Sequence, residues 1–256
     1  MAISAEYVIT GRNMVKTYGA GVEKLNALNG ADAEMAAGEF VAVMGPSGSG
    51  KSTLLFVLSG TDNLTSGSVA FNGAELSGLR ENELADIRRT KMGFVFQQPT
   101  MLKNLNLLDN IILPAAHKNK KNMAAIAQKA KALMEKTGIS GLERRDAPEV
   151  SGGQLQRAGI CRALINSPEI LFADEPTGAL NSQSAGEIMA LLTDINREGT
   201  AILLVTHDAK VAARAGRVLF MKDGAIVSEL AFGKPGETDI EAKAEKIISQ
   251  MAAVGI

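Results

Sequence analysis

Apolar residues come along this chain in short runs, each closed by a glycine, a proline or a polar turn. "EFVAVM" (39–44) is almost continuous in hydrophobic side chains, which predicts a strand covered on both faces. "EILFAD" (169–174) and "TAILLVTH" (200–207) read the same way. "SGSVAFNG" (66–73) predicts a short strand closed by the hairpin pair Asn72-Gly73, and "KMGFVFQQP" (91–99) a strand halted by Pro99. "RVLFMKDGAIVSEL" (217–230) predicts two strands about Asp223-Gly224. Directly after the first run, "GPSGSGKSTLLFVLSG" predicts a glycine turn opening a helix that Gly60 ends.

Between about 100 and 165 the period changes from strand to helix. Met123, Ile126, Ala127, Ala130, Leu133 and Met134 recur at helical spacing, one apolar face that Gly138 stops. From 231 the chain predicts a linker with Gly233, Pro235 and Gly236, then a helix in "DIEAKAEKIISQM". Strands alternating with helices in the second half predict an α/β fold, and there is no internal repeat.

Composition narrows the function classes. A length of 256 residues allows one large domain or two small ones, and 46% hydrophobic with 21% charged residues is ordinary for a soluble globular protein. The net charge of −1 supplies no basic field, so no nucleic-acid partner is expected. Lys118, Lys120 and Lys121 have no aromatic residues among them and read as a solvated helix entry. A single cysteine, Cys161, excludes an internal disulfide and fits a reducing compartment. "MAISAEYVIT" lacks the pattern of a signal peptide, and runs such as 201–205 fall far short of the roughly 20 residues that span a bilayer. The expectation is a cytosolic chain that reaches a membrane only through a partner.

Three stretches carry chemistry. Gly45-Pro46-Ser47-Gly48-Ser49-Gly50-Lys51-Ser52 fits the full phosphate-binding pattern G-x-x-x-x-G-K-[ST]. Its glycines let backbone N–H groups curl around phosphates, Lys51 would reach the β- and γ-phosphates, and the Ser52 hydroxyl would bind Mg²⁺. Thr53 follows in the same nucleotide-binding set. "ILFADE" places Asp174 and Glu175 at the end of a strand; Asp174 would hold the ion through water and Glu175 would take a proton from the attacking water. "VSGGQLQRAGICRALI" (150–165) predicts a helix start in which Ser151 caps and Gln154 completes a capping box. Gly152 and Gly153 leave its first N–H groups bare to an anion. This second site has no lysine and no metal-binding hydroxyl after one, so by itself it makes no complete nucleotide site.

Val150-Ser151-Gly152-Gly153-Gln154, followed by Gln156-Arg157, resembles the LSGGQ signature of the ATP-binding subunits of ABC transporters. The resemblance covers about residues 9–230, with the motifs in the family's order. It implies a P-loop NTPase core with a mixed sheet, an N-terminal antiparallel β part and an inserted helical subdomain at about 100–165. The ATPase domain would then be residues 1–230, and 231–256 a C-terminal extension. Two copies would pair head to tail around two ATP molecules with Mg²⁺. Ser151, Gly152, Gly153 and Gln154 of one copy would complete the site built on the P-loop of the other. Tyr18 falls where an aromatic stacks on adenine, and Gln97 where a glutamine senses Mg²⁺ and the attacking water. His207 matches the histidine that contacts the γ-phosphate; independently, it ends an apolar strand, the sheet edge where ligands bind. The implied catalytic set is Glu175, His207, Gln97 and Lys51. His117 has no such context and reads as a loop residue.

Two positions depart from the family pattern. Val150 replaces leucine, and Asn181 in "GALNS" stands where most members have aspartate. Several motifs together resemble the branch of lipoprotein-release, cell-division and macrolide-efflux ATPases. "PTGALNS" and "NLNLLDNIILPA" resemble the bacitracin and lantibiotic-resistance type. This resemblance implies a polytopic permease as partner, a peripheral place at the cytoplasmic face of the membrane, and a permease-binding groove at Gln97 and the residues after it, including Leu102 and Leu105. A soluble ABC ATPase acting on DNA or ribosomes would usually carry a coiled-coil insertion or two fused units, and neither is present. A P-loop kinase would have no use for "SGGQ", and a non-catalytic module none for Lys51, Asp174, Glu175 and His207.

Overall fold

A computed structural model describes residues 7–19, 24–117, 122–233 and 239–256. The lysine run at 118–121 and two of the linker residues, Pro235 and Gly236, lie outside the described residues. The continuous apolar runs form the middle of a six-stranded sheet. β3 (Phe40–Met44), β7 (Ile170–Asp174) and β8 (Ala201–Val205) lie in it together with β6 (Met92–Phe96) and β9 (Arg217–Lys222). With β10 (Ala225–Ala231) at one edge, the order is β10-β9-β3-β8-β7-β6. All neighbours are parallel except β10, which turns back on β9 through the Asp223-Gly224 turn. The predicted mixed sheet is thus present.

Side chains alternate across this sheet. Val41 and Val43 pack in one core with Leu54, Leu55 and Leu58 of α1 (Lys51–Leu58). The same core holds Ile9 and Met14 from β1 (Tyr7–Tyr18), Leu28 from β2 (Leu25–Ala36), and Val69 and Phe71 from β4 (Ser66–Phe71). With β5 (Ala74–Glu75), these strands make a separate antiparallel sheet of order β2-β1-β4-β5, the N-terminal β part. Phe40, Ala42 and Met44 pack on the opposite side, with Ile188 and Leu192 of α6 (Ser182–Arg197) and Ala212 of α7 (Ala209–Ala212). That core also takes Ala244 and Ile247 of α8 (Ile240–Ala253), so the C-terminal helix is part of the packed molecule.

A third core joins α3 (Leu107–Ala116), α4 (Met123–Lys136) and α5 (Gly152–Leu164). Only Ala130 and Met134 of the predicted α4 face are fully buried. Its end at Gly138 is as predicted, with that glycine at φ 72°. Cys161 sits in this core beside the Thr137 hydroxyl, and burial pushes its thiol up to about 11. Helix α5 serves two cores: Ala158 and Cys161 face the helices, while Ile160 and Leu164 face the sheet. A charged helix, α2 (Glu81–Lys91), precedes β6 and buries Leu84 alone.

Candidate nucleotide site

Parallel strands end on one side of the sheet, and the predicted residues collect there. The P-loop leaves β3, Asp174 closes β7, His207 lies two residues beyond β8, and Gln97 follows β6 directly. Backbone crowding explains two of the loop glycines. A Cβ on Gly45 would lie 2.2 Å from the carbonyl oxygen of Met221, and one on Gly50, at φ 100°, 2.3 Å from that of Ala27. No side chain caps α1 and its first turn holds no acidic residue, so its N-terminal dipole is left open to an anion.

Lys51 Nζ donates to the carbonyls of Gly45 (2.9 Å) and Pro46 (2.7 Å). Burial lowers its pKa, against the charges of Glu175 and Asp174. The Ser52 hydroxyl donates to Asp174 Oδ1 at 3.1 Å. Burial pushes the Asp174 carboxyl above the ordinary range, against its bond from Ser52; the Glu175 charge adds to the rise and Lys51 opposes it. Glu175 Oε1 lies 2.8 Å from His207 Nδ1. The glutamate is held at φ 48°, a left-handed conformation rare for a side-chain-bearing residue, and its N–H donates to the carbonyl of Val205.

A cavity of about 490 Å³ joins these groups. Gly45, Ser47, Gly48, Gly50, Lys51, Ser52 and Thr53 line one side, with Glu175 and His207 beside them and Tyr18 on the rim. The Tyr18 ring is 41% exposed, and its hydroxyl donates to Asp62 at 2.6 Å. Leu25, Ala27 and Val205 also line the cavity, and no motif in the sequence pointed to them. Ser49 is buried, and its hydroxyl is without a hydrogen-bond partner among the described residues. An orphaned buried hydroxyl, an open helix N-terminus and a lysine on loop carbonyls fit a polyphosphate, and the Ser52–Asp174 pair fits a hard cation.

Two predicted parts stand outside this cavity. Gln97 does not line it; its amide lies against Gly178, where a Cβ would come within 2.8 Å of Nε2. Ser151, Gly152, Gly153 and Gln154 do not line it either. They open α5 with the predicted capping box: Gln154 N–H donates to Ser151 Oγ (3.3 Å) and Ser151 N–H to Gln154 Oε1 (2.9 Å). Asn181 caps α6, its Oδ1 accepting from the N–H of Ser184 at 2.8 Å. The start of α6 is also packed on the start of α5, since a Cβ on Gly153 would meet Ser184 and one on Gly152 would meet Leu180.

A largely parallel sheet with a glycine loop at the end of β3, the loop's lysine, and the Ser52 hydroxyl paired with Asp174 from β7, two strands away, define a P-loop nucleotide-binding protein. The chain belongs to the ABC transporter family: the family model of that description matches residues 28–178. It is 42% identical over 227 residues to the bacitracin export ATP-binding protein BceA of Halalkalibacterium halodurans, covering 88% of this chain and 89% of that one. To the macrolide export ATP-binding/permease protein MacB of Mannheimia succiniciproducens it is 39% identical, covering 87% of this chain but only 34% of the longer protein. A dimeric ATP-binding cassette solved in a post-hydrolysis state with ADP and Pi superposes with a TM-score of 0.79 at 36% identity, covering 88% of this chain and 98% of that one. The chain is an ABC ATPase with the expected fold. Among the described residues no helix is long and apolar enough to cross a membrane.

Proposed function

We propose that two copies of this chain pair head to tail around two ATP molecules and drive a polytopic membrane permease from the cytoplasmic face, in export of or resistance to antimicrobial peptides. The observation that carries the ATP sandwich is that the chain's own signature residues, Ser151 to Gln154, lie outside the cavity that its P-loop lines. A second copy supplies them. A dimeric cassette among the structural neighbours supports this pairing. The peptide assignment rests on the match to the bacitracin export protein, which extends over nearly the whole of both chains. The macrolide export relatives are about two and a half times as long and include the permease in their names.

Lys51 and the loop N–H groups bind the phosphates, and Tyr18 carries the adenine. Ser52 and Asp174 would hold Mg²⁺ together with Gln97, and the ion would neutralise charge on the phosphate oxygens. Glu175 accepts a proton from the attacking water, and His207 holds its carboxylate through Nδ1. In Glu175→Gln, turnover is expected to fall by about 10²- to 10⁴-fold while ATP binding survives. Lys51→Ala weakens ATP binding itself. Steady-state hydrolysis near the wild-type rate in Glu175→Gln would remove the glutamate from this role.

A further inference from the structure

Tyr18 reaches the rim of the nucleotide cavity on a side chain fastened at both its ring and its hydroxyl. The hydroxyl donates to Asp62 Oδ2 at 2.6 Å, and Lys16 Nζ lies 4.8 Å from the ring centroid. The same ammonium donates to Asp62 Oδ1 at 2.5 Å and to the carbonyl of Asn63 at 2.7 Å. The lysine side chain is largely buried, so the pair holds its geometry better than one in open water. Asp62 is tied in turn to the last turn of α1, where its N–H and that of Thr61 both donate to the carbonyl of Phe56. Against its own burial, the bonds from Lys16 and Tyr18 hold the Asp62 carboxyl below the ordinary carboxylate range. Burial and the Asp62 bond raise the Tyr18 pKa, so the phenol stays a donor. Because α1 starts at Lys51, the helix that presents the phosphate-binding lysine also fixes, through Asp62, where the ring stands.

We infer that Asp62 and Lys16 are positioning residues that hold the Tyr18 ring at a set distance from the P-loop, as a platform for the nucleotide base. The contacts that carry this are Tyr18–Asp62, Lys16–Asp62 and the Lys16 ammonium over the ring. The inference rests on the reading of Tyr18 as the residue that carries adenine. The ammonium covers one face of the ring and leaves the other to the base. A tyrosine without these contacts has three staggered χ1 wells, and one of them holds the ring in place. Binding through a state populated about a third of the time is about threefold weaker. Neither phosphate binding nor the chemical step at saturating ATP depends on the ring's rotamer.

The test uses the full chain with Mg²⁺ and two probes, ADP and inorganic pyrophosphate, which differ by the adenosine. Tyr18→Phe removes only the hydroxyl, at an exposed position, and is expected to raise the Kd for ADP about threefold. Asp62→Ala gives the same rise, and the double variant binds no more weakly than either, since all three lose one anchor. Asp62→Asn keeps an oxygen for the hydroxyl and regains part of the loss. Lys16→Met gives a smaller loss of the same kind; wild-type affinity in it would remove the lysine from the role. In every variant the pyrophosphate Kd and the kcat at saturating ATP stay within about twofold of wild type. The inference fails if Tyr18→Phe binds ADP as wild type does, or if its loss and that of Asp62→Ala add. It fails equally if pyrophosphate binding weakens in step with ADP, the mark of a disturbed fold. Should Asp62→Ala not fold, Tyr18→Phe decides alone. Tyr18→Ala, which deletes the platform, is expected to weaken ADP about tenfold; wild-type affinity there overturns the reading of Tyr18 instead.

Discussion

Asp174 and Lys51 show at the residue scale what burying charge costs a fold. Both are charged, and burial disfavours the charged form of each. The Asp174 pKa is higher in the folded chain than in the unfolded one, so the folded state binds more protons and stability falls as pH rises through that window. The penalty is absent below the unfolded aspartate pKa of about 3.9 and complete above the raised folded value. Asp174→Asn without nucleotide or Mg²⁺ is therefore expected to melt higher than wild type at pH 7, with the gap closing as the pH approaches 4. Thermal melting across pH measures this; a lower Tm for Asp174→Asn at neutral pH would count against an uncompensated buried charge. The variant gives up hydrolysis for its stability, a trade expected where function needs a strained group.

At the element scale the proposed site is built on helix starts. Asn181, the departure from the family's aspartate, accepts the Ser184 N–H without needing a charge. Asn and Asp are nearly equal caps, so Asn181→Asp should leave stability within about 0.5 kcal/mol, whereas Asn181→Ala should cost about 1 kcal/mol. Urea unfolding separates the two; an equal loss in both would mean that the site demands the neutral amide for another reason. Elements differ in how far they were legible. Strands β3, β7 and β8 are buried on both faces, so their apolar runs are continuous and easily read. Helix α2, "ENELADIRRTK", buries Leu84 alone, with Ile87 partly buried beside it, and two apolar contacts among charged residues are a weak signal. Strands β1 and β2 are long and half-exposed, with repeated register shifts and glycines at positions 11 and 30, which erase a clean alternation.

Assembly is tested at the scale of the whole molecule. Ser47 and Ser151 are both exposed, and within one chain Ser151 does not line the P-loop cavity. Ser47→Cys in one tagged chain and Ser151→Cys in another, on a Glu175→Gln, Cys161→Ala background, should be joined by a short thiol crosslinker. The yield should rise with ATP and Mg²⁺ and stay low with ADP. Crosslinks that ignore the nucleotide would remove the ATP-driven sandwich. The proposed permease contact can be tested apart from folding at Leu102, which is 46% exposed. Leu102→Glu should leave the melting temperature of the isolated chain unchanged and abolish stimulation by the permease in the reconstituted complex. Leu105 is the poorer probe, because it is half-buried and its carbonyl accepts from Asn110.

Contiguous motifs were legible in the sequence alone. The P-loop pattern, the Asp174–Glu175 pair and the signature each lie within one short stretch, so each is legible without the fold. The same holds for the capping box at Ser151, which formed as read. Tertiary structure decided everything that joins distant stretches. Only the fold brings Ser52 to Asp174, His207 to Glu175, and Asp62 to the hydroxyl of Tyr18. It rests Gln97 against Gly178 instead of in the cavity, and it lays α5 against Pro99. These contacts depend on strand order and on how one helix crosses a loop, quantities that no local pattern of residues encodes.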